Sequence, residues 1–117
     1  DHNANAKIGI IAFGSVDPAI VEARDRLTKT GLATSYLRLR ALPLAASVRE
    51  FVAAHERIYV IEMNQDGQLN LLLRMEMPDL AARLVSVAYS DGLPLSARFV
   101  TTQVLENEHR PVPVQEH

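Results

Sequence analysis

Two stretches of this chain are apolar almost without interruption: Ile8 to Phe13 (IGIIAF) and Ile58 to Met63 (IYVIEM). A strand with one wet face alternates polar and apolar residues. A run without alternation is covered on both faces, as in the interior of a parallel sheet packed between helices. Elsewhere the apolar spacing switches repeatedly between strand and helix periods, the signature of a β-α-β-α layout.

The first run extends back to Lys7 and is followed by Gly14-Ser15-Val16-Asp17-Pro18. Asp17 suits an N-cap and Pro18 the first helical position. Ile20, Ala23 and Leu27 line one face of the predicted helix, with Glu22/Arg26 and Asp25/Lys29 paired on the other. Gly31 is a natural stop. Ala33 to Arg40 alternates and reads as a half-exposed strand, broken by Leu42-Pro43-Leu44. Val48, Phe51 and Val52 mark a second helix ending near His55. Leu69, Leu72 and Leu73 mark a short third one, closed by Pro78. Leu84 to Tyr89 is a fourth strand, Asp91-Gly92 a turn, and Ser96 to Glu106 the final helix.

Uninterrupted strands belong inside the sheet and alternating ones at its edges. With right-handed crossovers this predicts a three-layer α/β/α fold whose mainly parallel sheet has strand order 2-1-3-4. The topological switch point then lies between the first and third strands, where such folds receive ligands. Residues 1–6 are expected to be a linker or disordered segment, 7–108 one α/β domain and 109–117 a loose tail.

At 117 residues, 48% apolar and 22% charged, the chain has the composition of one soluble domain. A net charge of −2 with interspersed signs argues against nucleic-acid or membrane-surface binding by bulk electrostatics. No apolar run approaches a membrane span and no secretory leader is visible, so a cytoplasmic location is expected. Cysteine is absent, which excludes disulfides, a thiol nucleophile and a cysteine-ligated zinc or iron–sulfur centre within this chain.

The candidate chemistry gathers at the switch point. Gly14-Ser15 stands where a phosphate loop would, but lacks both glycine-rich fingerprints. A tight turn with a helix cap is expected over anion binding. In Asn64-Gln65-Asp66-Gly67-Gln68 the glycine is misplaced for a calcium loop and no closing glutamate follows, leaving a turn in which Asp66 caps the next helix. Glu62 ends a buried strand and must be paired or hydrogen-bonded. Anchoring to backbone N–H groups across the crevice is the expected role rather than proton transfer. The four histidines have no ligand spacing, so no metal site is expected, and no catalytic residue is assigned. Arg38 and Arg40 on the alternating strand either block edge pairing or form an interface. A receiver domain would need an acidic pair after the first strand, and a flavodoxin-like domain a Ser/Thr-rich phosphate loop there; neither is present.

The runs Leu37 to Leu44 (LRLRALPL), Val48 to Phe51 (VREF), Val60 to Leu72 (VIEMNQDGQLNLL) and Asp91 to Val100 (DGLPLSARFV) resemble the alpha subunit of 2-oxoacid:ferredoxin oxidoreductases. More narrowly, Lys7 to Val100 resembles that subunit's C-terminal domain, of transketolase C-terminal-like fold. The resemblance implies a parent enzyme that oxidatively decarboxylates a 2-oxoacid to an acyl-CoA. It would use thiamine diphosphate, coenzyme A and iron–sulfur clusters and pass electrons to ferredoxin. It also implies that other alpha-subunit domains and a beta subunit hold the cofactors, so that this domain binds none and is inactive alone. Glu62, Asn64, Gly67 and Gln68 carry over as residues that pack at the crevice; Gly14 and Ser15 are crevice or interface candidates from their place after the first strand.

The related fold usually has a further antiparallel strand before the first. Its absence would leave the Arg38/Arg40 edge uncovered or in a homodimer contact. Because residue 1 is not Met, a longer reading frame upstream is expected; a free-standing ligand-binding or dimerisation module is the alternative.

Overall fold

A computed structural model describes residues 6–13, 17–39, 46–62, 68–88 and 96–110. The two apolar runs form the central strands, β1 (Ile8–Phe13) and β3 (Arg57–Glu62), paired in parallel with Ile10 opposite Tyr59 and Ile11 opposite Val60. The edges are β2 (Thr34–Leu39) beside β1 and β4 (Leu84–Ala88) beside β3, giving the parallel order β2-β1-β3-β4 expected from strand character. Four α-helices, α1 (Asp17–Lys29), α2 (Ala46–Ala53), α3 (Gln68–Glu76) and α4 (Ala97–Asn107), complete the three layers. A 3-10 helix, Pro78–Arg83, follows α3 where the sequence suggested only a stop. Proline ends one helix but is equally suited to begin another, lacking a donor that a first turn leaves unused. Among the described residues no helix is long and apolar enough to cross a membrane.

The period-two alternation of the strands divides the core. Ile8, Ile10, Tyr59 and Ile61 face α1 and α4, meeting Ile20, Ala23, Leu27, Val104 and Leu105, all fully enclosed. Ile11, Ile58 and Val60 face α2, α3 and the 3-10 helix, meeting Phe51, Val52, Leu73 and Met77. Gly9 lies on this second face because nothing larger fits: a Cβ there would stand 2.7 Å from both Ile58 Cδ1 and Phe51 Cε2. The expected i,i+4 pairs are present on the outer face of α1, Arg26 to Glu22 at 2.7 Å and Lys29 to Asp25 at 3.0 Å.

Both long helices close in the same way. At the end of α1 the Leu32 N–H donates to the Leu27 carbonyl and the Gly31 N–H to the Thr28 carbonyl, with Gly31 at φ 92°. At the end of α4 the Arg110 N–H donates to Leu105 and the His109 N–H to Glu106, with His109 at φ 57°. These are Schellman closures, the first with the usual glycine and the second with a histidine in the left-handed region. At the start of α4 Ser96 Oγ accepts from the Phe99 N–H at 3.1 Å.

The two edge strands share a device that their sequences do not announce. The carbonyl of the first residue of β2, Thr34, accepts from Arg24 Nη2 at 2.8 Å, and that of the first residue of β4, Leu84, accepts from Arg74 Nη2 at 2.7 Å. Arg24 also donates to Thr34 Oγ1 and lies 5.7 Å from the Tyr36 ring centre. The first half of β2 is therefore buried rather than half-exposed: Thr34 and Tyr36 lie under α1 and Arg24, and Ser35 lies on the opposite face with Leu39.

Candidate functional site

At the carboxyl ends of the strands the chain leaves β1 toward one face and β3 toward the other, because α1 packs with α4 and α3 packs on the opposite layer. This is the switch point expected from the strand order. Of the residues expected there, Gly14, Ser15, Asn64 and Gly67 lie outside the described residues, as does Asp66 with its expected capping role. Gln68 is the first residue of α3. Arg38 is exposed on β2, and Arg40 lies outside the described residues.

Glu62 is the described residue that gives this end of the sheet its chemistry. It follows the last β1–β3 pair, Ala12 with Ile61, and shares the face of Ile58 and Val60, so its side chain points toward the α3 layer. The residue is only 7% exposed. Its Oε1 accepts the Leu69 N–H at 2.9 Å and its Oε2 accepts the Asn70 N–H at 3.1 Å. Those amides belong to the first turn of α3, where no intrahelical acceptor exists, and the helix dipole favours negative charge there. Anchoring to backbone N–H groups was the expected role. The amides are those of the helix that directly follows, on one side of the crevice. Asn70 Oδ1 is buried and has no hydrogen-bond partner among the described residues.

A second charged constellation lies at the opposite, amino end of the sheet, with little local signature in the sequence. Glu108, just past α4, takes Arg57 Nε on Oε2 at 2.5 Å and Arg57 Nη2 on Oε1 at 2.6 Å, while the Tyr59 hydroxyl donates to the same Oε2. Burial pushes the Glu108 carboxyl up, but the bonds from Arg57 and Tyr59 outweigh it and the net pKa lies below the ordinary value. Burial, then the bond to Glu108, raises the Tyr59 phenol, so it stays protonated and donating. The available signal was Arg57 and Tyr59 two apart at the start of β3, hence on one face. Their partner 49 residues beyond Tyr59 has no local signature.

His55 is buried, its Nδ1 2.7 Å from the Phe51 carbonyl. A carbonyl only accepts, so Nδ1 carries the proton. Arg83 Nη1 donates to the Ala53 and His55 carbonyls at 3.0 and 2.7 Å. Both contacts secure the end of α2. Among the described residues no group of three or more metal-ligating side chains converges.

No protein-family profile matches the chain, and no curated protein matches it. Among solved structures it is similar to 2-oxoglutarate:ferredoxin oxidoreductase from Magnetococcus marinus, solved with 2-oxoglutarate, coenzyme A and succinyl-CoA bound. The TM-score is 0.73 and the identity 27%, over 91% of this chain and 18% of that one. In fold and in a quarter of its residues, the chain matches a domain of the 2-oxoglutarate:ferredoxin oxidoreductase family.

Proposed function

We propose that this chain is a structural and assembly domain of a thiamine-diphosphate-dependent 2-oxoacid:ferredoxin oxidoreductase, corresponding to the C-terminal domain of its alpha subunit. The observation that carries the reading is the match of nearly the whole chain to less than a fifth of a much longer oxidoreductase chain. Within such an enzyme the domain positions its neighbours while other domains and a beta subunit hold the cofactors. The complex as a whole would oxidise a 2-oxoacid to an acyl-CoA and reduce ferredoxin.

The chain's own residues support a role without cofactor. Thiamine diphosphate and coenzyme A both present phosphates, which a helix N-terminus at a switch point is suited to receive. The amides of Leu69 and Asn70 already serve Glu62, so the described residues do not fit these groups there. Iron–sulfur clusters are held by cysteine thiolates, and this chain has none.

The test is an assay of 2-oxoglutarate- and coenzyme-A-dependent reduction of a viologen dye. The isolated chain is expected to be inactive, while the product of the full reading frame, with its companion subunit, turns over. Activity from the chain alone would remove the assembly reading. A reading frame without a thiamine-binding region, together with a saturable small ligand at the β1/β3 crevice, would favour a free-standing binding module.

A further inference from the structure

We infer that Glu62 is a built-in anion: its carboxylate fills the N-terminal seat of α3 and closes the switch point of this domain, on the α3 side, to phosphate-bearing ligands. The inference deepens the non-cofactor role proposed above and rests on the same Glu62 contacts that support it. In open α/β folds the first-turn amides of a helix following a central strand point their N–H groups at a ligand phosphate. Here the helix follows the central strand β3, and the amides of its second and third residues point at a carboxylate instead.

Three features make this occupancy a property of the fold. Glu62 is the last residue of the strand, so its Cα is fixed by pairing with β4, opposite Ala88. Strand parity turns its side chain to the α3 face, and a glutamate is long enough to bring one oxygen to each amide. The carboxylate is almost fully enclosed, so an incoming phosphate would have to expel it from its two amides, with no cation among its described hydrogen-bond partners. A phosphate and a carboxylate offer the same thing to this helix, namely oxygens carrying negative charge, and one is already attached to the chain.

The idea is tested on the chain itself by thermal unfolding and by amide NMR of Leu69 and Asn70. Glu62→Ala is expected to lower Tm by on the order of 10 °C, since two charge-assisted bonds and an enclosed helix end are lost. Sodium formate at hundreds of millimolar should restore roughly half of that loss. It should also shift both amides in the variant, with the wild type in the same titration correcting for the general effect of salt. In the wild type, millimolar inorganic pyrophosphate should leave the two amides unmoved. An alanine variant as stable as the wild type, or one destabilised but indifferent to formate, would show that Glu62 acts by packing and would overturn the inference. So would saturable movement of the wild-type Leu69 and Asn70 amides by pyrophosphate.

If the alanine variant does not fold, Glu62→Gln decides together with the wild-type pyrophosphate titration. The amide keeps the bulk but not the charge, so a lower Tm without a formate response is expected, and an unchanged Tm counts against the proposal. Failure of the enzyme assay would leave these readouts standing, and their failure would leave the assay standing.

Discussion

The two helical layers of this domain are finished by different means. On one face α1 and α4, 13 and 11 residues long, close their own C-termini with local Schellman turns, and the start of α4 is capped by its own Ser96. On the other face α2 and α3 have only 8 and 9 residues, and borrow side chains from elsewhere. Glu62 of β3 serves the start of α3, and Arg83 of the 3-10 helix serves the end of α2. Short helices gain little from propensity and hold mainly through tertiary contacts. The outer surfaces differ as well. The charged face of α1 carries its two ion pairs, whereas α3 leaves Leu71 and Met75, one turn apart, 57% and 70% exposed. The difference teaches that one layer is nearly self-sufficient, while the other depends on contacts made across the fold.

The largest effect that would break this comparison comes from matched cavities. Leu27 on α1 and Leu73 on α3 are both fully buried. Leu27→Ala is expected to cost about 3–4 kcal/mol and Leu73→Ala about 2–3 kcal/mol, the short helix relaxing more readily into its cavity. Urea unfolding gives both values, and a larger loss at Leu73 would reverse the ranking. Amide hydrogen exchange should likewise release α2 and α3 before α1 and α4.

Next in size is the ionic contact that ties α4 to the sheet. Glu108→Gln should cost about 1–2 kcal/mol at neutral pH, discounted because Arg57 is partly exposed. Because the folded Glu108 carboxyl lies below its ordinary value, its contribution is present above the unfolded pKa and is lost as pH falls through the folded one. The wild type should therefore lose stability below about pH 4.5, with a shallower loss in the variant. Parallel acid limbs in the two proteins would show that Glu108 is not the group responsible.

A smaller gain is expected from His109→Gly, about 0.5 kcal/mol, because a histidine at φ 57° carries a steric penalty that glycine avoids. A loss would mean that the His109 side chain contributes more than its backbone costs. Smallest of all is Leu71→Ser with Met75→Ser, whose effect on the isolated chain should lie within about 0.5 kcal/mol of zero. A clear destabilisation would show that this face is covered in the folded chain and would weaken the contrast between the layers.

What could be read in advance follows the same division. Strand order was legible because Ile8 to Phe13 and Ile58 to Ile61 lack alternation, a direct statement about burial on two faces. Gly31 and Ser96 were legible because their partners lie within a few residues. Glu62 was legible as a residue needing a partner, but that partner is a pair of backbone amides, which every residue type except proline supplies. The Glu108 contact, the Arg24 and Arg74 bonds to edge carbonyls and the burial of Ser35 depend on packing across elements. No local periodicity records them.

The pairing of α1 with α4 also sets the order in which the domain is completed. The first helix rests against the last described helix, so Ile20, Ala23 and Leu27 remain without their partners on α4 until Val104 and Leu105 have been synthesised. A nascent chain still tethered at β4 would already possess the four described strands, yet with the part of this layer that α4 covers still open to a chaperone. Completion then comes in a single late step: α4 emerges, covers that part, and Glu108 fastens onto Arg57 and Tyr59. Any stop codon or proteolytic cut before Glu108 leaves a product that the cell's quality control should recognise as unfinished.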